Sequence, residues 1–118
     1  MHLQNNGNDE YSDIPKLIIK RFPNFNPLFD LDEGPYLILG DFYHNYILKN
    51  IDNDTTMKEV CEFINEQMSI EYYAIKELIQ IEIFEHCLYD DRILNILNKY
   101  LNNEAKEYLN NFLRQNNG

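Results

Sequence analysis

The chain has 118 residues, 44% of them hydrophobic, with 9 Tyr, 7 Phe and no Trp, which is enough apolar material for one domain with a real core. Its 10 Lys and Arg stand against 20 Asp and Glu, a formal net charge of -10. Phosphates repel such a surface, so no nucleic-acid partner is expected. No run of about 20 apolar residues occurs, so no membrane partner or membrane span is expected.

Residues 1–10 are rich in Asn, Gly and Asp and predict a disordered N-terminal segment. They carry no basic region followed by an apolar run, so no secretory signal is expected and the protein is expected to be cytoplasmic. A single helical domain is expected over 11–114, with a disordered tail over 115–118. The first helix is predicted to start at Ser12 or Asp13, with Pro15 in its first turn, where a missing N–H is not needed. Leu17, Ile18 and Phe22 would face the core, and Pro23 ends the helix.

Residues 24–35, NFNPLFDLDEGP, read as a loop with two prolines, a glycine and three acids. The same loop carries Phe25, Leu28, Phe29 and Leu31, which must be buried or offered to a partner. Long ordered loops are often functional. From Tyr36 to Ile51, Leu39, Phe42, Tyr43, Tyr46 and Ile47 recur at helical spacing, as do Leu37 and Ile38 one turn earlier. Gly40 inside this helix costs about 1 kcal/mol relative to Ala, and a close helix crossing is the expected reason for it.

Asp52 to Thr55 is a turn, and Thr56 with Glu59 forms a capping box for the next helix. Val60, Cys61, Phe63, Ile64 and Met68 share one side of that helix. Ser69 to Leu88, SIEYYAIKELIQIEIFEHCL, has no Gly or Pro and is long enough for about five turns. Its apolar residues cover most of a helical wheel, as in a central helix packed on several flanks. Glu71, Glu82, Glu85 and His86 share one quadrant. Asp90 or Asp91 caps a fifth helix whose apolar face holds Ile93, Leu94, Ile96, Leu97, Tyr100 and Leu101. Asn102 or Asn103 caps a sixth, with Ala105, Tyr108, Leu109 and Phe112 in a narrow stripe. The expected fold class is all-α, about six helices in an irregular bundle or helical-hairpin stack around a central buried helix.

Little chemistry is visible. Cys61 and Cys87 lie in apolar patterns and read as buried reduced thiols, too few for a disulfide framework. Ser12 and Ser69 read as helix caps, and no nucleophile elbow, P-loop or dinucleotide fingerprint occurs. The pairs Asp30 with Asp32 and Asp90 with Asp91 read as caps or solubilising charge rather than acid–base catalysts. Asp41 and His44 are three apart, and Glu82 and His86 four apart. A carboxylate–histidine metal site is sterically possible if their helices face each other, although neither Glu-x-x-His nor HExxH is present. The expectation is therefore no enzyme, no catalytic residues, no metal and no cofactor. Lys16, Lys20 and Arg21 read as a solvated helix face.

What remains is a surface. Phe29, Asp30, Asp32 and Glu33 of the loop, with Asp41, Glu82 and Glu85, form the candidate partner-binding set. The competing reading is that Phe25, Leu28 and Phe29 plug the end of the bundle.

The run FPNFNPLFDLDEGPYLILGDFYHNYI, followed by VCEFINEQM and IEIFEHCL, resembles an uncharacterised bacterial family of small acidic helical proteins. The matching residues are Phe22, Pro23 and Phe25, then Leu39, Gly40, Asp41 and Phe42, then Phe84 and Glu85. The resemblance extends from about Ile14 to Phe112. Members are similar to immunity proteins of polymorphic toxin systems. The resemblance implies a cytosolic inhibitor that binds one toxin domain, and the net charge suits a basic nuclease toxin. The alternatives are a helical adaptor or regulatory module with another partner, and a carboxylate/histidine metal protein.

Overall fold

The computed structural model describes residues 8–117, and among these there are six α-helices and no strand. The helices are α1 (Asn8–Arg21), α2 (Pro35–Phe42), α3 (Asp54–Met68), α4 (Tyr73–Ile79), α5 (Asp91–Tyr100) and α6 (Asn103–Asn117). Two of them continue past their α-helical hydrogen bonding. α2 runs on through a π turn, Tyr43–Ile47, and a 3-10 turn, Leu48–Asn50. α4 does the same through Gln80–Phe84 and Glu85–Cys87. No helix among the described residues is long and apolar enough to cross a membrane.

The bundle is tied together by aromatic rings. Phe42 is fully buried, and its ring lies 5.0 Å from Phe22, 5.3 Å from Phe25, 5.2 Å from Tyr46 and 6.4 Å from Phe63, centroid to centroid. The connection that follows α1, α2 with its π turn, and α3 thus meet in one cluster. Each such pair adds about 0.5–1.5 kcal/mol beyond the area it buries. The α4 helix with its continuation is the central element, touching α2, α3, α5 and α6. It buries Ile75, Leu78, Ile79, Ile83, Phe84 and Cys87.

Several expected caps are present. Asp90 accepts from the N–H of Arg92 at 3.1 Å, and Asn102 from that of Ala105 at 2.9 Å. Val60, Cys61, Phe63, Ile64 and Met68 are all buried on α3. Other expectations need correction. α1 starts at Asn8, so residues 8–10 are helical, Ser12 is not a cap, and Pro15 sits inside the helix. Asp9 and Glu10 favour the earlier start, because acids in a first turn complement the helix dipole. The rest of the expected disordered segment, residues 1–7, lies outside the described residues. α6 continues to Asn117, past the boundary expected at Gln115, and Asn116 donates to the Phe112 carbonyl at 2.9 Å. Gly118 lies outside the described residues.

α3 is capped by Asn53, which accepts from the Thr56 N–H at 3.1 Å, rather than by a Thr56–Glu59 box. Asn is the stronger cap and leaves Asp54 in the first turn. Ser69 closes α3 instead of opening the central helix. Its N–H returns to the Asn65 carbonyl at 3.1 Å and its hydroxyl donates to the Glu66 carbonyl at 2.7 Å. The Lys76 ammonium donates to the Met68 carbonyl, which holds the reversal, and the central helix begins at Tyr73. A wheel drawn at 100° per residue also loses its phase at the π turn. Ile81, placed with Leu78 on that wheel, is only half-buried, whereas Ile83 is buried.

Truncating the aromatic hub tests this packing. Phe42→Ala is expected to lose about 3–5 kcal/mol of unfolding free energy in urea denaturation. A loss below about 1 kcal/mol would show that the cluster is not the joint of the bundle.

Candidate functional site

The loop between α1 and α2 divides its hydrophobes. Phe25 is buried in the aromatic cluster, whereas Leu28 is 74% and Phe29 40% exposed. The plug reading therefore holds for Phe25 and fails for its two neighbours. Asp41 causes the division. It lies on α2 and is buried; one carboxylate oxygen accepts the Leu28 backbone N–H at 2.5 Å and the other accepts the Asn45 amide at 2.5 Å. A buried carboxylate needs such donors, and hydrogen bonds to a charged group contribute about 1.5–3 kcal/mol each. The tether pins the backbone at Leu28 and leaves the side chains of Leu28 and Phe29 facing out.

One residue earlier, Gly40 leaves room for a side chain of the central helix. A Cβ at this position would stand 2.7 Å from the Glu82 Oε1 atom. The glycine expected to mark a close helix crossing is approached within 4 Å by the Glu82 side chain and not by helix backbone. Burial pushes the Glu82 carboxyl above its ordinary range; nearby His86 and His44 offset part of this, and Glu85 adds to it. His44 gives its Nδ1–H to the Gly40 carbonyl at 2.9 Å. That assigns the tautomer, since a carbonyl can only accept. The His86 ring stacks on Tyr43 with centroids 5.2 Å apart and meets the edge of His44 at 4.8 Å.

Together these side chains form a groove of about 290 Å³ lined by Phe29, Tyr36, Leu37, Gly40, Asp41, His44, Asn45 and Glu82. Both π turns feed it, one through His44 and Asn45 and the other through Glu82. Interrupted helical hydrogen bonding of this kind often marks functional positions. Of the seven residues proposed from the sequence, Phe29, Asp41 and Glu82 line the groove. Asp41 acts there as a buried tether and not as an exposed contact. Asp30, Asp32 and Glu33 are exposed at the 3-10 turn Leu31–Glu33. Glu85 is exposed beyond Glu82, while Glu71 lies off the helix in the link before Tyr73. Leu37 is a correction of a different kind. Helical spacing placed it with the core, yet it is 44% exposed on the groove wall. Nothing in the sequence marked Tyr36, Leu37 or Asn45; Gly40 and His44 were visible only as an oddity and as a candidate ligand.

His44, Glu82 and His86 do approach one another, but Asp41 is turned to Leu28 and Asn45. Among the described residues, no three His, Cys, Asp or Glu side chains gather closely enough to hold a metal ion. The thiols are equally withdrawn. Both are free and buried, and burial pushes each up to about 12. Burial also raises the Tyr43 phenol, with Cys87 adding to the effect. A second hollow lies between α1 and α3, lined by Glu10, Asp13, Lys16, Leu17, Lys20, Gln67 and Ile70. Gln67 is buried there with its Oε1 unpaired. Its rim carries two acids and two lysines, so it has no net charge preference. Arg21, expected on the same solvated face, is instead paired with Glu66.

No family model matches the chain, and no curated protein or solved structure is significantly similar to it.

Two measurements probe these environments. Because the folded state raises the Glu82 carboxyl, it binds a proton more readily than the unfolded chain, and stability falls as pH rises through that range. Glu82→Gln is expected to melt higher than the parent protein at pH 7. The difference should close once pH falls below the ordinary Glu value of about 4.3, where both states are protonated. A variant that melts lower at pH 7 would show that Glu82 is paired rather than desolvated. Neither Cys61 nor Cys87 is expected to be alkylated by iodoacetamide in the native protein, whereas both react in urea; rapid native labelling of either would contradict their burial.

Proposed function

We propose that this chain is a non-enzymatic, cytoplasmic protein-binding protein, an immunity protein that neutralises a cognate bacterial toxin by direct binding. The observation that carries the reading is the outward display of Leu28 and Phe29 by a loop that a buried carboxylate holds, next to the exposed Leu37 of α2. A loop with a purely structural task would turn those side chains inward, as it does Phe25. Exposed apolar anchors beside a shaped groove supply the kind of contact that dominates binding energy at interfaces.

Around this apolar centre, Asp30, Asp32, Glu33 and Glu85 are exposed and acidic, a charged rim suited to steering a basic partner. The net charge of -10 extends that preference over the whole molecule. The toxin-directed part of the proposal comes from the resemblance of FPNF, LGDF and IEIFEHCL to proteins similar to immunity proteins. The second reading is a helical adaptor that uses the same surface for a different protein. It becomes the better one if the partner is neither basic nor toxin-like.

Tagged protein captured on resin from its own organism's lysate, washed in high salt and read by mass spectrometry, is expected to retain one basic toxin-like protein. The triple variant Asp30→Lys, Asp32→Lys, Glu33→Lys should bind that protein about tenfold more weakly, equivalent to about 1.4 kcal/mol, with an unchanged circular dichroism spectrum. An empty resin would count against constitutive inhibition, and undiminished binding by the folded variant would remove the acidic turn from the interface.

A further inference from the structure

The groove between α2 and the central helix is lined by hydrogen-bond acceptors. Glu82 supplies a carboxylate, and the Asp41 carboxylate is already engaged by Leu28 and Asn45. His44 commits its Nδ1–H to the Gly40 carbonyl, which leaves Nε2 with a lone pair in the neutral ring. Asn45 directs its amide nitrogen to Asp41, which leaves its carbonyl oxygen as an acceptor. No Lys or Arg lines the groove, and among the described residues Glu82 forms no ion pair with either. A half-buried carboxylate in that state carries a desolvation cost that an arriving cation can offset.

The walls limit which cation fits. Phe29 and Tyr36 line it with aromatic rings and Leu37 with an aliphatic side chain, and Phe29 and Leu37 remain exposed in the free protein. A bare metal ion is disfavoured, because no three carboxylate, imidazole or thiol groups among the described residues converge to coordination distance. An ammonium is a compact point charge with three donors. A guanidinium is planar, has five N–H donors and no acceptor, and stacks on aromatic rings. Its shape matches acceptors spread along a groove with aromatic sides.

We infer that this groove is a socket for a guanidinium group, an arginine side chain of the bound protein, held against Phe29 and Tyr36 with its N–H groups directed at Glu82 and the neighbouring acceptors. The inference rests on the partner-binding reading above and names the chemistry that the partner brings to it. Gly40 is then a positioning residue. A methyl group at that site would displace the Glu82 carboxylate, whose flexible side chain can move at little cost to the fold.

Isotope-labelled full-length protein titrated with Nα-acetyl-arginine methylamide tests the socket by nuclear magnetic resonance. Saturable shifts are expected at the His44, His86 and Tyr36 rings and at the Gly40 amide. The lysine derivative should bind roughly threefold more weakly, and the norleucine derivative should leave these signals unmoved. Glu82→Gln and Gly40→Ala should each weaken arginine binding about tenfold, with circular dichroism reporting an intact fold. Should one variant fail to fold, the other carries the comparison. Absent or unsaturable shifts with the arginine probe, equal shifts with norleucine, or undiminished affinity in both folded variants would overturn the socket; the last would mean diffuse attraction to an acidic chain. The titration contains no toxin, so its failure removes the guanidinium site alone, while the capture experiment decides the partner-binding reading.

Discussion

The Phe42 ring is the joint on which the molecule depends. It brings rings from the connection after α1 and from α3 against α2 and its π turn, so three segments separated in sequence share one contact. The two residues before it extend that joint to the surface. Asp41 takes the Leu28 N–H and fixes the loop, and Gly40 lets the Glu82 carboxylate approach α2. Three consecutive residues thus hold the core, aim the loop and shape the groove. A disturbance in the aromatic cluster would reach the groove through one turn of helix.

The groove is expensive for the fold. Glu82 is drawn part-way out of water without a lysine or arginine beside it, Leu28 and Phe29 are displayed to solvent, and two helices give up regular hydrogen bonding on either side. Each departure goes against what packing and solvation alone would favour. Their concurrence at one place is the ground on which the partner-binding proposal rests.

Polarity also divides the surface into usable and unusable parts. The hollow between α1 and α3 is roomy, but its rim balances acids against lysines. The groove at Glu82 is smaller and has two carboxylates and no lysine or arginine in its lining. Area and volume do not set affinity; desolvated groups with a single unmet demand do.

The sequence by itself determined the all-α class, the apolar faces of α3 and α6, and the caps of α5 and α6 to within one residue, because these depend on spacing and on side chains bonding to their own backbone nearby. It also singled out Gly40 as a close approach and Asp41, His44, Glu82 and His86 as residues of interest, since each breaks a local pattern. Only the tertiary structure decided that Ser69 ends a helix, that both long helices pass through π turns, and that Leu28, Phe29 and Leu37 face out while Phe25 turns in. Those outcomes turn on contacts between residues far apart in the chain, such as Asp41 with Leu28 and Gly40 with Glu82, and no local propensity encodes a partner 13 or 42 residues away.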